Sequence, residues 1–162
     1  MTKDPVHEVF GRRRPPPVLI EAMGRLRRVD ASSHAMHVLP LLNHPEPDVR
    51  SAAISTVFVL WRMTEQRHVA VQLLQRDRHD EVRSASAFAI AAISSDATRR
   101  DDVRLLLAIV DNEAESIELR RSAYEGLLLL FQRPDFPNAL GAFDPVHDVD
   151  WQWVKELRAL FS

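Results

Sequence analysis

Seven histidines and the acids near them are the first residues in this sequence that could do chemistry. His34 and His37 are three positions apart, which places them on one face of a helix, and His44 follows shortly after. A zinc site needs three or four converging ligands, and the nearest acids, Glu46 and Asp48, come only after a proline-rich turn. We therefore expect surface or interface histidines and no metal site.

Motifs for other chemistries are missing from the sequence. The chain has no cysteine and only four glycines. It therefore offers no thiol nucleophile, no glycine-rich phosphate loop and no Gly-x-Ser-x-Gly elbow. We predict no catalytic residue, no cofactor and no enzymatic activity.

Arginine is the remaining chemically distinctive residue, because all but two of the 21 Lys and Arg residues are arginine. Arginine makes bidentate and stacked contacts that lysine cannot make. The preference is also typical of a GC-rich genome, and we interpret the source as bacterial. The net charge of -2 argues against a dedicated nucleic-acid binder, whose surface normally carries a strong basic excess.

Three of these arginines recur in a repeated phrase. "DVRSAA" begins at Asp48, "EVRSAS" at Glu81 and "ELRRSA" at Glu118, at offsets of 33 and 37 residues. Four positions after each phrase comes an apolar residue, at Val57, Ile90 and Leu127 respectively. A period of this size is typical of stacked helix pairs.

Helical segments surround each phrase. The phrase opens a helix that is apolar on nearly all sides, as in "ASAFAIAAI", and such a helix must be covered on more than one side. Another helical segment precedes it each time, for example "TRRDDVRLLLAIV" before the third phrase. Pro40 should kink the first of these preceding helices because it removes a backbone hydrogen bond. The predicted N-caps are Ser32 or Ser33, Thr64, Thr98, and Asp148 or Asp150.

These patterns predict one all-α domain over residues 1–162. The expected parts are an extended lead-in (1–16), an N-terminal cap helix (17–31), three helix-pair repeats (32–62, 64–95 and 97–132) and a C-terminal cap helix (148–162). The longest apolar run, Ala87–Ile93, is far shorter than the roughly 20 residues of a membrane span. No secretory signal is apparent, so we predict a cytoplasmic protein without a membrane partner.

The phrase Leu73-Leu74-x-x-Asp77-x-x-x-x-Val82-Arg83-x-Ala85 resembles a HEAT repeat. The resemblance implies a short right-handed α-solenoid of stacked antiparallel helix pairs with capping helices, whose second helices line the concave face. It also implies a ladder in which a repeated Asp and Arg join neighbouring repeats. Asp77 fits this pattern, but His44 and Ala114 occupy the equivalent positions in the other repeats, so the arginines could instead face solvent.

The function predicted from this resemblance is non-catalytic protein binding on the concave face, as an adaptor, regulatory subunit or inhibitor of an unidentified protein. The residues expected to contact the partner are Arg50, Arg62, Arg83, Phe88, Arg120, Arg121, Tyr124 and Glu125. For the two aromatic residues, core packing is the competing interpretation. The alternatives are nucleic-acid binding through the Arg-rich N-terminal end and, more weakly, an enzyme resembling the bilin lyases, which share similar repeats.

Overall fold

The computed structural model describes residues 14–26, 31–134 and 143–162. Within these ranges the chain is helical and has no strand, which confirms the all-α prediction. The helices are α1 Pro16–Arg25, α2 Ala31–Val38, α3 Pro47–Ile54, α4 Arg67–Arg76, α5 Asp80–Ile93, α6 Arg99–Asp111, α7 Ile117–Leu130, α8 Pro145–Asp148 and α9 Trp151–Phe161.

Proline shapes the first helix pair. Pro40 lies in a 3-10 turn, Leu39–Asn43, into which α2 tightens, because proline cannot supply the backbone N–H that a continuing α-helix needs. Pro47 is the first residue of α3, a position whose N–H would have no helical partner in any case. The prediction of a distortion at Pro40 is therefore confirmed.

A π-helical turn, Ser55–Leu60, continues α3. At its start the Thr56 hydroxyl donates to the Ala52 carbonyl at 2.8 Å, and the Ser55 hydroxyl donates to the Ser51 carbonyl at 3.1 Å. Side-chain bonds to carbonyls four residues earlier compete with the backbone ladder and bend helices. The second helix of the first pair therefore ends differently from α5 and α7, which remain regular α-helices.

The helices pack in chain order. Helix α4 contacts α5 in the second pair, and α6 contacts α7 in the third. In the first pair, α3 contacts the 3-10 turn that follows α2, and α2 contacts the π-helical turn that follows α3. The second helices also pack side by side, α3 on α5 and α5 on α7, while α1 packs on α3 and α9 on α6. Val57, Ile90 and Leu127, which follow the repeated phrase, are fully buried in one continuous apolar core. Matching sequence positions therefore have matching positions in the core.

Side-chain caps begin the later helices. Asp150 accepts from the backbone N–H of Trp153 at 3.0 Å, which confirms one of the two predicted caps of the closing helix. Ser116 caps α7 in the same way, although the sequence did not single it out. Thr98 stands at the N-cap of α6 without making the cap bond, because its hydroxyl accepts from the backbone N–H of Ser95 instead.

Helix α7 ends in a left-handed turn at Gln132, whose φ is 53°. The N–H of Arg133 bonds to the Leu128 carbonyl and that of Gln132 to the Leu129 carbonyl, the Schellman arrangement. Because only glycine adopts this φ without steric cost, we expect Gln132→Gly to raise the free energy of unfolding by about 0.5–1 kcal/mol. Chemical denaturation would measure the change. Gln132→Ala is the control and should give no gain, since alanine keeps the Cβ.

Candidate functional site

Arg50 joins the first helix pair to the second. Its side chain leaves α3, and the residue is only 8% exposed. The Nε and Nη2 atoms donate to Oδ2 and Oδ1 of Asp77 at 2.8 and 2.9 Å. The remaining Nη1 donates to the carbonyls of His44 and Pro45 at 2.7 and 2.8 Å. The guanidinium is thus enclosed and neutralised inside the protein.

Asp77 is held ionised by its donors. Burial raises the pKa of this carboxyl, but the hydrogen bonds from Arg50 and from the backbone N–H of His79 outweigh burial, so the pKa lies below its ordinary value. The His79 N–H donates to Oδ1 at 3.0 Å. Because Asp77 comes directly after α4, one carboxylate both fixes the turn of its own pair and receives the arginine of the preceding pair.

Arg83 repeats this connection between the second and third pairs. Its Nη1 and Nη2 donate to the two carboxylate oxygens of Glu115 at 2.7 and 2.6 Å, and its Nε donates to the Leu74 carbonyl at 3.0 Å. The hydrogen bonds to Glu115 raise the pKa of the guanidinium above its ordinary value. The repeat register predicts the acid at position 114, where Ala114 stands. The acid that makes the contact, Glu115, is the next residue. We call the contacts Arg50–Asp77 and Arg83–Glu115 the two braces.

A further ion pair joins the first helices of neighbouring pairs. Asp102 in α6 has no exposed surface, and it accepts from Arg67 of α4 and, at 2.7 Å, from the hydroxyl of Ser94. The sequence analysis did not identify this cluster. A signal was present, because Asp102 lies four residues before Leu106 on the buried stripe of α6, where an ionised side chain requires a partner.

The exposed face of the second helices, which we call the second-helix face, carries different residues at equivalent places. One row consists of Asp48, Glu81 and Glu118, all of them exposed. A row two turns further along the helices consists of Ser55, Phe88 and Glu125. Ser55 is exposed, whereas Phe88 and Glu125 are half-buried.

Arg121 and Glu125 form an ion pair on this face. The Arg121 Nε donates to Glu125 Oε1 at 2.8 Å, and the guanidinium also lies 5.9 Å from the centre of the Phe143 ring. Both partners of the pair are half-buried. These two predicted contact residues are therefore brought together within reach of solvent.

Apart from Phe88, the other predicted contact residues lie elsewhere. Tyr124 is 2% exposed, and its hydroxyl accepts from the backbone N–H of Asp150 at 3.0 Å while Trp153 packs on its ring edge-to-face. Arg62 is exposed just after the π-helical turn that continues α3, with φ 52°, and its Nη1 donates to the Ala92 carbonyl at 3.3 Å. Tyr124 and Arg50 are thus buried, and Arg83 is occupied by its brace.

The histidines differ from the expectation. His34 is only 3% exposed, so it is a buried residue and not a surface residue, whereas His37 and His44 are half-buried. In the parts of the chain that the structure describes, no group of three or more His, Asp or Glu side chains is placed to hold a metal ion. No helix in those same parts has the length and apolar character needed to cross a membrane.

Some predictions fall outside the described residues. Most of the Arg-rich N-terminal segment proposed for nucleic acid, together with most of the extended lead-in, lies in residues 1–13. Residues 27–30 of the predicted N-terminal cap helix are also outside these ranges.

No protein-family model matches this chain, and searches of curated proteins and of solved structures find no similar protein.

Proposed function

We propose that the chain is a short right-handed α-solenoid of three HEAT-like helix pairs, closed by α1 and α9, that binds another protein without catalysing a reaction. The observation that carries the proposal is the pair of braces. Each one leaves the second helix of a pair and ends on a carboxylate in the turn between the two helices of the next pair, 27 residues on for Arg50 and 32 for Arg83. Repeats that contact only their neighbours build extended surfaces of this kind.

The second-helix face is the proposed binding surface. The helices beneath it are fixed by apolar packing and by the braces, so their exposed positions are held in one geometry before a partner arrives. A preformed surface loses little conformational entropy on binding. Positions equivalent in the repeat carry serine, phenylalanine and glutamate at 55, 88 and 125, and this variation on a constant frame favours recognition of one partner.

Phe88, Arg121 and Glu125 are the proposed contact residues. Phe88 offers a partly exposed aromatic ring at the middle helix, and aromatic side chains and arginine dominate binding energy at protein interfaces. Arg50 and Arg83, in contrast, act in the proposal by holding the surface in shape. The absence of cysteine fits a reducing compartment, and we place the protein in the cytoplasm.

Photo-crosslinking from the second-helix face tests this function. A benzophenone amino acid replaces Phe88, and the protein is expressed and irradiated in the cells that produce it. We expect one or a few discrete crosslinked proteins, identified by mass spectrometry, because the ring lies at the centre of the proposed surface.

Gln72 supplies the matched control. It is exposed on α4, a first helix, and so lies outside the second-helix face. The same photoreactive group at Gln72 should not capture the protein captured at Phe88. Identical products from both positions, or crosslinked nucleic acid in place of protein, would contradict the proposed function.

A further inference from the structure

The third repeated arginine, Arg120, is held in the same way as Arg83. The Nε of Arg83 donates to the Leu74 carbonyl, and the Nε of Arg120 donates to the Val110 carbonyl, both at 3.0 Å. Each carbonyl belongs to the last turns of the first helix in the same pair. The Nε bond therefore anchors both guanidinium groups in the same way, to the first helix of their own pair.

Arg83 and Arg120 differ in the partners of their outer nitrogens, the Nη1 and Nη2 atoms. Arg83 places Nη1 and Nη2 on Glu115 of the next pair. After α7 there is no further pair in the described ranges, and no carboxylate there forms an ion pair with Arg120. Arg120 is half-buried, so its outer nitrogens are positioned by the protein while lacking the acid that the other two repeats supply.

The closing helix covers only one part of this edge. Trp153 of α9 packs edge-to-face on Tyr124 and Phe131, with ring centres 6.1 and 5.8 Å apart. At the other end of α7, Ile117 is 51% exposed one turn before Arg120. An apolar side chain and an arginine with two unused nitrogens thus lie side by side at the end of the row of second helices. We call this pair of residues the end site.

We propose that the end site receives a carboxylate from another protein, an Asp or Glu side chain at the turn of a helical hairpin, which completes in trans the contact that Glu115 makes in cis. The planar guanidinium fork matches a carboxylate in bidentate geometry. The exposed Ile117 favours a protein segment over a small inorganic anion, since a protein segment can also cover an apolar side chain.

A second copy of this chain is a poorer occupant. Head-to-tail stacking would bring the first pair of one copy to the end site of another, and His44 stands there at the position that Asp77 holds in the second pair. A two-fold contact would instead place two Arg120 side chains together, where like charges repel. This inference rests on the proposed stack and adds to it a second contact at the end.

Arginine side-chain NMR with a peptide probe tests the end site. The probe reproduces residues 111–124, the segment that presents Glu115 to Arg83, and the receiver is the full chain labelled with 15N. We expect the peptide to shift the Arg120 guanidinium signals and to slow rotation of that group. The Glu115→Gln peptide and the Arg120→Gln protein should each bind about tenfold more weakly, because a charge-assisted bidentate contact is lost. Arg76→Gln, at an exposed position on α4, should bind like the unaltered protein.

Several outcomes would overturn the inference. They are no shift of Arg120 at millimolar peptide, equal binding by the Glu115→Gln peptide, equal displacement by inorganic phosphate, or self-association that depends on Arg120 in sedimentation. Circular dichroism of Arg120→Gln should match that of the unaltered protein and so excludes unfolding as the cause of lost binding. The Arg83 signals report on the stack itself. If the Arg83 guanidinium rotates freely before peptide is added, the braces and the proposed function are wrong. If rotation of Arg83 is restricted but the Arg120 signals do not respond to the peptide, only the end site is wrong.

Discussion

Replacing Arg50 by Met is expected to lower the free energy of unfolding by about 3 kcal/mol. The substitution leaves Asp77 buried as an uncompensated carboxylate, with a side chain only 7% exposed, and removal of one partner from a buried ion pair is strongly destabilising. The carbonyls of His44 and Pro45 also lose their donor. Urea denaturation followed by circular dichroism measures the loss.

Two variants show whether the loss of stability comes from the broken Arg50–Asp77 ion pair or from lost side-chain packing. The double variant Arg50→Met/Asp77→Leu should recover a large part of the stability, because no buried charge is then left without a partner. Arg83→Met should cost less than Arg50→Met, since both members of the second brace are 20% exposed and water screens them. Equal losses for Arg50→Met alone and for the double variant would show that the ion pair is not the cause.

The first brace should also respond to acid. Because the pKa of Asp77 is lower in the folded protein than in the unfolded chain, its contribution is complete above the unfolded value of about 3.9 and is lost as the pH falls through the folded value. The difference in unfolding free energy between the unaltered protein and Asp77→Asn should therefore be constant near neutral pH and shrink below about pH 4. A difference that stays unchanged to the lowest pH at which the protein folds would contradict this account.

Gly126→Val should destabilise the protein by about 2–3 kcal/mol, because it forces apart two helices that pack closely. A Cβ at Gly126 would lie 3.2 Å from the Ala91 Cβ and 3.3 Å from a Leu106 methyl group, which is already tighter than ordinary contact. The two γ carbons of valine need space that α5 and α6 occupy. Thermal and urea unfolding both measure the effect.

Gly24→Ala is the matched control for this prediction. Gly24 also lies inside a helix, α1, but a Cβ there meets nothing within 4 Å. Alanine should therefore stabilise α1 by about 0.5–1 kcal/mol through helix propensity alone. If Gly126→Val were equally harmless, close approach of α5 and α7 would not be a property of the folded protein.

The sequence identified the helices well because their signals are local. The repeated phrase, the apolar residues that follow it, and Pro40 and Pro47 act within a few turns of chain, and the structure shows their expected effects at those positions.

The contacts between pairs were harder to predict, because they join residues that are far apart in the sequence. The register assigned the acid for Arg83 to Ala114, whereas Glu115 makes the contact from the next position, where its longer side chain reaches back. The pairing of Arg67 with Asp102 spans 35 residues and belongs to no repeated phrase. The position of an arginine in the repeat also did not indicate whether its side chain is buried or exposed. Arg50 is buried, although exposed residues lie close to it on the same helix.

The braces have a consequence for how such a chain can change in length. Each one needs a single arginine in one pair and a single acid in the next, and neither side chain reaches further than its immediate neighbour. Duplication of the second or third pair, each of which carries both the acid and the arginine, would therefore supply an ion pair at both new contacts and leave the existing ones in place. In the proposed stack such copying would lengthen the row of second helices, and Arg120, which has no carboxylate partner among the described residues, would meet the acid of the added pair.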